Sequence, residues 1–153
     1  MVENKKPSVL KPDLKDERIN QDLRAKLLSD FYSYHHTTGK RRNQSVSEEK
    51  RSTIFKKWMG KNKKVLDYGG GPGVLLTALK KLGAEVKEYD ISEDFRKQAA
   101  EKIGAENIYE TVEEIPSGYF DFVICNLVLC IVDEDEVKRI VLNIKKALNE
   151  NGL

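Results

Sequence analysis

Two cysteines, four prolines and one tryptophan are all that this 153-residue chain has of three structurally decisive residue types. Cys125 and Cys130 stand five apart, without C-x-x-C spacing and without a histidine beside them. That argues against a metal site and against a disulfide framework. Buried free thiols in a reducing compartment are the expectation. No apolar run approaches the ~20 residues of a membrane-spanning helix, and residues 1–10 lack the hydrophobic stretch of a signal peptide. A soluble, cytoplasmic protein with no membrane partner is therefore expected. The Gly-Lys-Ser/Thr of a phosphate-binding P-loop is missing, and so is any RNA-binding motif with interleaved aromatics.

What the chain does have is Val65-Leu66-Asp67-Tyr68-Gly69-Gly70-Gly71-Pro72-Gly73. The spacing predicts a short buried strand ending near Tyr68, a glycine turn, and a helix that begins at Val74. A helix entered this way offers unpaired backbone N–H groups at its start. The glycines allow close approach of a small molecule. The dinucleotide fingerprint G-x-G-x-x-G would need a third glycine at Val74 or Leu76, so a NAD-binding domain is disfavoured. The run is D-x-G-x-G-x-G instead, with Asp67 suitably placed for an ammonium group. Seventeen residues after Gly73, Asp90 closes Glu85-Val86-Lys87-Glu88-Tyr89-Asp90. An acid at the tip of the second strand is where a ribose diol is gripped.

The rest of the chain reads as one domain of length 153, with 39% apolar residues to fill a core and 34% charged. Residues 1–15 read as a flexible tail. Residues 16–60 read as a helical segment: Ile19, Leu23, Leu27, Leu28 and Phe31 recur at helical spacing. Ser45 and Glu48 then form a capping box before a second helix. Residues 61–153 hold alternating strands and helices. Helices are expected over 74–82, 92–103 and 133–148, and strands over 64–68, 85–89, 107–110 and 120–125. That alternation implies right-handed crossovers and a parallel sheet.

VLDYGGGPG, EYDIS, FDFVICNLVL (120–129) and LNENGL (148–153), in this order, resemble the class I S-adenosylmethionine-dependent methyltransferases. The resemblance runs from about Lys64 to Leu153. It implies a Rossmann-like α/β fold with strand order 3-2-1-4, preceded by N-terminal helices that form a lid over the site. It also implies S-adenosylmethionine as cofactor and methyl transfer to a small-molecule acceptor. By resemblance, Asp67, Gly69, Gly71 and Gly73 hold the methionine and ribose parts, Asp90 takes the ribose, and Ile91 flanks the adenine. Thr111 and Val112 fall where the family contacts the adenine amine. Asn126 falls beside the transferring sulfonium, with Leu127 on the same wall. Tyr32, Tyr34, His35, His36 and Arg42 are lid candidates. No general base is identifiable, and the catalytic residues stay unassigned. An in-line displacement mostly requires the acceptor to be held close and aligned.

Charge is unevenly divided. Residues 1–64 carry 17 Lys+Arg against 8 Asp+Glu, and residues 65–153 carry 10 against 17. Lys61-Asn62-Lys63-Lys64 and Lys40-Arg41-Arg42 could meet phosphates, but a solvated face is the plainer reading, so nucleic acid is the disfavoured partner. The family's sheet has later strands that are missing here, as if the chain were truncated after the fourth. A cofactor-binding fragment or non-catalytic subunit, completed by another chain, is therefore the alternative to an active enzyme. With the order 3-2-1-4, residues 120–125 would form an unpaired apolar edge inviting self-association.

Overall fold

The computed structural model describes Met59 and residues 61–153. The expected tail at 1–15, nearly all of the expected lid segment at 16–60 and every lid candidate lie outside the described residues.

Four parallel strands form one sheet, β1 (Lys64–Tyr68), β2 (Glu85–Tyr89), β3 (Ile108–Tyr109) and β4 (Phe122–Ile124), in the spatial order β3-β2-β1-β4. Three helices connect or follow them: α1 (Val74–Lys81), α2 (Glu93–Ile103) and α3 (Glu134–Ala147). β1 pairs with β2 on one side and β4 on the other, so the chain reverses direction across the sheet at β1. In such sheets that reversal opens a crevice at the strands' carboxyl ends, where the glycine loop leaves β1.

Strand alternation sends side chains to two separate cores. Val65, Val86 and Ile124 pack with Leu75, Leu76 and Leu79 of α1 and Ile103 of α2. Leu66, Tyr68 and Phe120 pack on the other face with Ile140 and Ala147 of α3. Leu66, Leu76, Leu79 and Ile103 are fully buried, each worth about 1.5–3 kcal/mol of transfer free energy. Local signals set the helix ends. Ser92 caps α2, its hydroxyl accepting from the Phe95 amide at 3.4 Å, and Asp133 caps α3, accepting from the Glu136 amide at 2.9 Å. Acids in both first turns favour the helix dipoles. Among the described residues no helix is long and apolar enough to cross a membrane.

Two strands are shorter than the sequence predicts. β3 covers only Ile108–Tyr109, because a 3-10 turn over Ala105–Asn107 occupies the residues before it. β4 begins at Phe122, because Asp121 is twisted out of the ladder. Its amide donates to the Lys64 carbonyl and its carbonyl accepts from the Leu153 amide, both at 2.9 Å and toward opposite neighbours. A regular strand residue presents both groups to one side. The Asp121 carboxylate accepts from the Lys64 amide at 2.8 Å and from the Asn149 side chain at 3.1 Å. These bonds hold it below the usual carboxylate range.

The edge expected to be unpaired over 120–125 is largely met. The Tyr119 and Phe120 amides donate to the Ala147 carbonyl, the Asn149 amide donates to the Phe120 carbonyl, and the Val123 amide donates to the Leu153 carbonyl at 2.9 Å. Segment 147–153 thus runs along the far side of the chain as far as Val123.

Candidate functional site

β1 delivers Asp67 and Tyr68 to the strand ends, and the chain then turns through Gly69, Gly71 and Gly73, all at positive φ. The turn is stitched to the tip of β2 at two points. The Gly69 amide donates to the Tyr89 carbonyl at 2.7 Å, and the Gly71 amide donates to Asp90 Oδ2 at 2.9 Å. Asp90 Oδ1 accepts from the Ser92 amide at 2.8 Å. One carboxylate therefore ties the glycine loop to the start of α2. Asp90 is buried rather than solvated as a strand-tip acid would ordinarily be. Burial pushes its pKa up, against the Ser92 and Gly71 bonds that hold it down. Each oxygen keeps a second lone-pair direction for a further donor.

The glycines have different neighbours. A Cβ on Gly69 would collide with Val128 Cγ2, and one on Gly70 would lie 3.0 Å from the Asp67 carboxyl. A Cβ on Gly73 would meet Ala99 at 2.9 Å and Glu88 Oε2 at 3.1 Å. At Gly71 it would meet nothing within 4 Å. The loop is therefore sealed from below and from the side, and open at Gly71. Gly73 caps α1 without a side-chain bond, so the first amides of that helix face the same loop. Lys102 of α2 holds the loop from outside, its ammonium donating to the Pro72 carbonyl.

Beneath the loop lies a pair of acids. Asp67 and Glu88 are register partners on β1 and β2, 3% and 0% exposed. Neither Glu88 oxygen has a hydrogen-bond partner among the described residues. Burial first, then Asp67 and Asp90, push its pKa up to about 10, with Lys102 pulling weakly the other way. Glu88 is thus a neutral acid at neutral pH. Sequence reading passed it over, although Val86 and Glu88 alternate onto one face of β2 and Val86 is core.

The remaining predicted residues rim the crevice. Ile91 is exposed at the tip of β2. Thr111, exposed, is the N-cap residue just before a 3-10 turn over Val112–Glu114, and Val112 packs half-buried into the α3-side core. Asn126 is exposed just past β4, and Leu127, 58% exposed, holds φ +62°, a strained backbone for a leucine. That bend carries the chain back so that Val128 covers Gly69, a contact that no local pattern announces. Cys125, half-buried, has its pKa pushed up to about 11 by burial and then by Asp67. Cys130 is exposed. Lys64 lies over the Tyr119 ring at 3.9 Å, while Lys61 and Lys63 are exposed at the opposite end of the sheet.

Comparison with known proteins adds to this geometry. The methyltransferase domain family matches residues 66–153. No curated protein matches significantly. Among solved structures, the PH0226 protein of Pyrococcus horikoshii OT3 superposes with a TM-score of 0.64 at 23% identity, over 74% of this chain and 57% of its own. A SAM-dependent methyltransferase of Archaeoglobus fulgidus gives 0.64 at 21% identity, over 76% and 53%. The magnesium protoporphyrin IX methyltransferase of Synechocystis PCC 6803, solved with bound S-adenosylhomocysteine, gives 0.62 at 19%, over 81% and 68%. The chain spans 57% and 53% of the lengths of the first two.

Proposed function

This chain belongs to the methyltransferase domain family, and from that premise we propose that it binds S-adenosylmethionine at the glycine loop and supports methyl transfer to a small-molecule acceptor. The observation that carries the proposal is the asymmetry of the loop. Gly69, Gly70 and Gly73 are closed by Val128, Asp67 and the Ala99–Glu88 pair, while Gly71 looks into open space. A ligand is accepted along that one open stretch of backbone.

The donor set fits this cofactor. Asp90, already fixed by the Gly71 and Ser92 amides, has acceptor capacity left for ribose hydroxyls. Ile91 and Val112 offer apolar surface for an adenine, and Thr111 a hydroxyl. Asp67 places a carboxyl group under the loop, suited to a cationic methionine end. Asn126 and Leu127 flank the crevice from β4. The bound cofactor supplies an electrophilic methyl on sulfur. The chain's own part is to orient it and exclude water, which is sufficient where the acceptor is already nucleophilic.

The small-molecule class is supported by what the matched structures are named for, magnesium protoporphyrin IX in one and phosphoethanolamine in another. A relative named for a ribosomal protein marks the breadth of acceptors that this fold serves. A second reading, a cofactor-binding unit that another chain completes, draws on the edge of β4. Among the described residues, backbone pairing along its far side ends where the Val123 amide meets the Leu153 carbonyl. Calorimetric titration with S-adenosylhomocysteine tests the primary reading. Micromolar binding that is lost in a folded Gly71→Val protein is expected; unchanged affinity in that variant removes the site assignment. A radiolabelled methyl-transfer screen then separates the enzyme from the binding unit.

A further inference from the structure

Among the described residues, Glu88 is the one buried acid that the proposed chemistry leaves unused. It is fully buried, and both oxygens lack a partner among the described residues. From β1 it faces Asp67, its register partner. Asp90 stands two residues on, just past the end of the same strand. From α2 it faces Ala99 and, at longer range, Lys102, whose ammonium is already held by the Pro72 and Gln98 carbonyls. Above it is Gly73, whose absent Cβ would come within 3.1 Å of Glu88 Oε2. Among the described residues no donor stabilises its ionised form, and Lys102 alone favours it, weakly. The loop two residues from Gly73 is where the ligand is proposed to sit.

Resting on the cofactor reading above, we propose that Glu88 is a specificity-determining residue: it keeps a proton under the glycine loop in the free protein and releases it to solvent when positive charge is bound there. The physical basis is linkage. A positive charge brought within several ångströms of a buried acid lowers its pKa by about 1–3 units, each unit being tenfold in equilibrium. Both ligands bring the amino-acid ammonium to the loop; the sulfonium adds a second positive charge and so shifts Glu88 further than its thioether product does. Binding energy and proton release are then reciprocal, so the preference for the cationic ligand over the product grows as pH rises. The burial that holds Glu88 near pKa 10 places the onset above neutral pH.

The test compares S-adenosylmethionine and S-adenosylhomocysteine by calorimetry at pH 7 and pH 9. The two ligands share their amino-acid and adenosine groups and differ at sulfur. The affinity ratio in favour of the sulfonium is expected to rise about five- to tenfold between the two pH values. In Glu88→Gln, which carries only the ligands' own titration, that rise should be at least threefold smaller. Equal rises in the two proteins, or a flat ratio in the wild type with both ligands bound, overturn this inference while leaving the cofactor reading standing. Failure of both ligands to bind at both pH values overturns the cofactor reading and this inference with it. Should Glu88→Gln not fold, the wild type alone decides. Titrations at pH 9 in two buffers of unlike ionisation heat should show more proton release with the sulfonium than with the thioether, and equal release overturns the proposal.

Discussion

The Gly71 amide donates to Asp90 Oδ2 at 2.9 Å, binding the open point of the glycine loop to the tip of the neighbouring strand across 19 residues of sequence. Through this bond the same carboxylate has two tasks, since its other oxygen holds the Ser92 amide at the start of α2. Loop position, helix start and ligand reach all depend on one side chain.

Asp90→Ala should therefore weaken both cofactor binding and the fold. Two amides lose their acceptor in a site that is largely closed to water, at about 1–3 kcal/mol each where they stay unsatisfied. The expected readouts are a loss of roughly tenfold or more in S-adenosylhomocysteine affinity, and a urea midpoint lower than wild type. A variant with wild-type stability and weakened binding would mean that Asp90 serves the ligand alone.

Gly71 and Gly73 should respond to alanine differently. At Gly73 the new methyl collides with Ala99 at 2.9 Å and its backbone Cα at 3.0 Å, and the φ of +69° is already unfavourable. Overpacking of this kind costs about 1–3 kcal/mol, on top of about 1–2 for the left-handed backbone. At Gly71 only the backbone cost applies, because a Cβ there meets nothing. Denaturant unfolding of both variants should rank Gly73→Ala as clearly the less stable. Equal losses would contradict the sealed geometry beneath the loop.

Glu88 should make the protein less stable in alkali. Its folded pKa of about 10 lies above the ordinary value of 4.5, so between those values the folded form holds more protons than the unfolded. Stability is full below about pH 4.5 and falls as pH rises toward 10. Glu88→Gln removes this dependence without changing shape. Near pH 5 the variant should match wild type, and at pH 8 it should exceed it by about 2–4 kcal/mol, read from urea midpoints. A constant difference across pH would show that Glu88 is already ionised in the fold.

The β4 edge leads to a prediction about assembly. Leu153 occupies the positions opposite Asp121 and Val123, and by strand alternation the next amide on that side belongs to Cys125. We expect the 153-residue chain to self-associate weakly through this remaining edge. Sedimentation velocity should show a weight-average mass rising with concentration. Cys125→Pro, which removes that donor, should return the chain toward monomer. A wild-type monomer at every concentration would assign the edge no such role.

Much of this architecture was legible because its determinants are local. β1 and β2 have the limits expected for them, 64–68 and 85–89, and α2 and α3 start where Ser92 and Asp133 supply caps. A capping bond spans three residues, a glycine turn five, and a helix repeat four. Such signals are complete within a short window of sequence. The order 3-2-1-4 and the position of the glycine loop at the reversal followed from the resemblance, and the sheet has that order.

What the sequence did not decide lies in contacts between distant segments. Val128 closing over Gly69, Leu153 pairing with Asp121 and Val123, and Glu88 sealed by Gly73 and Ala99 each join residues 11 to 59 positions apart. Alternation put Glu88 on the core-facing side of β2, but an acid there can turn to water or pair with a base. Its burial without a partner was settled only when α1 and α2 packed over it. Whether a side chain is desolvated depends on the atoms that surround it, and those arrive from elements with no sequence pattern in common. Amino-acid order thus determined the strand, turn and helix that present the loop; tertiary packing alone decided which glycine stayed open and which acid kept its proton.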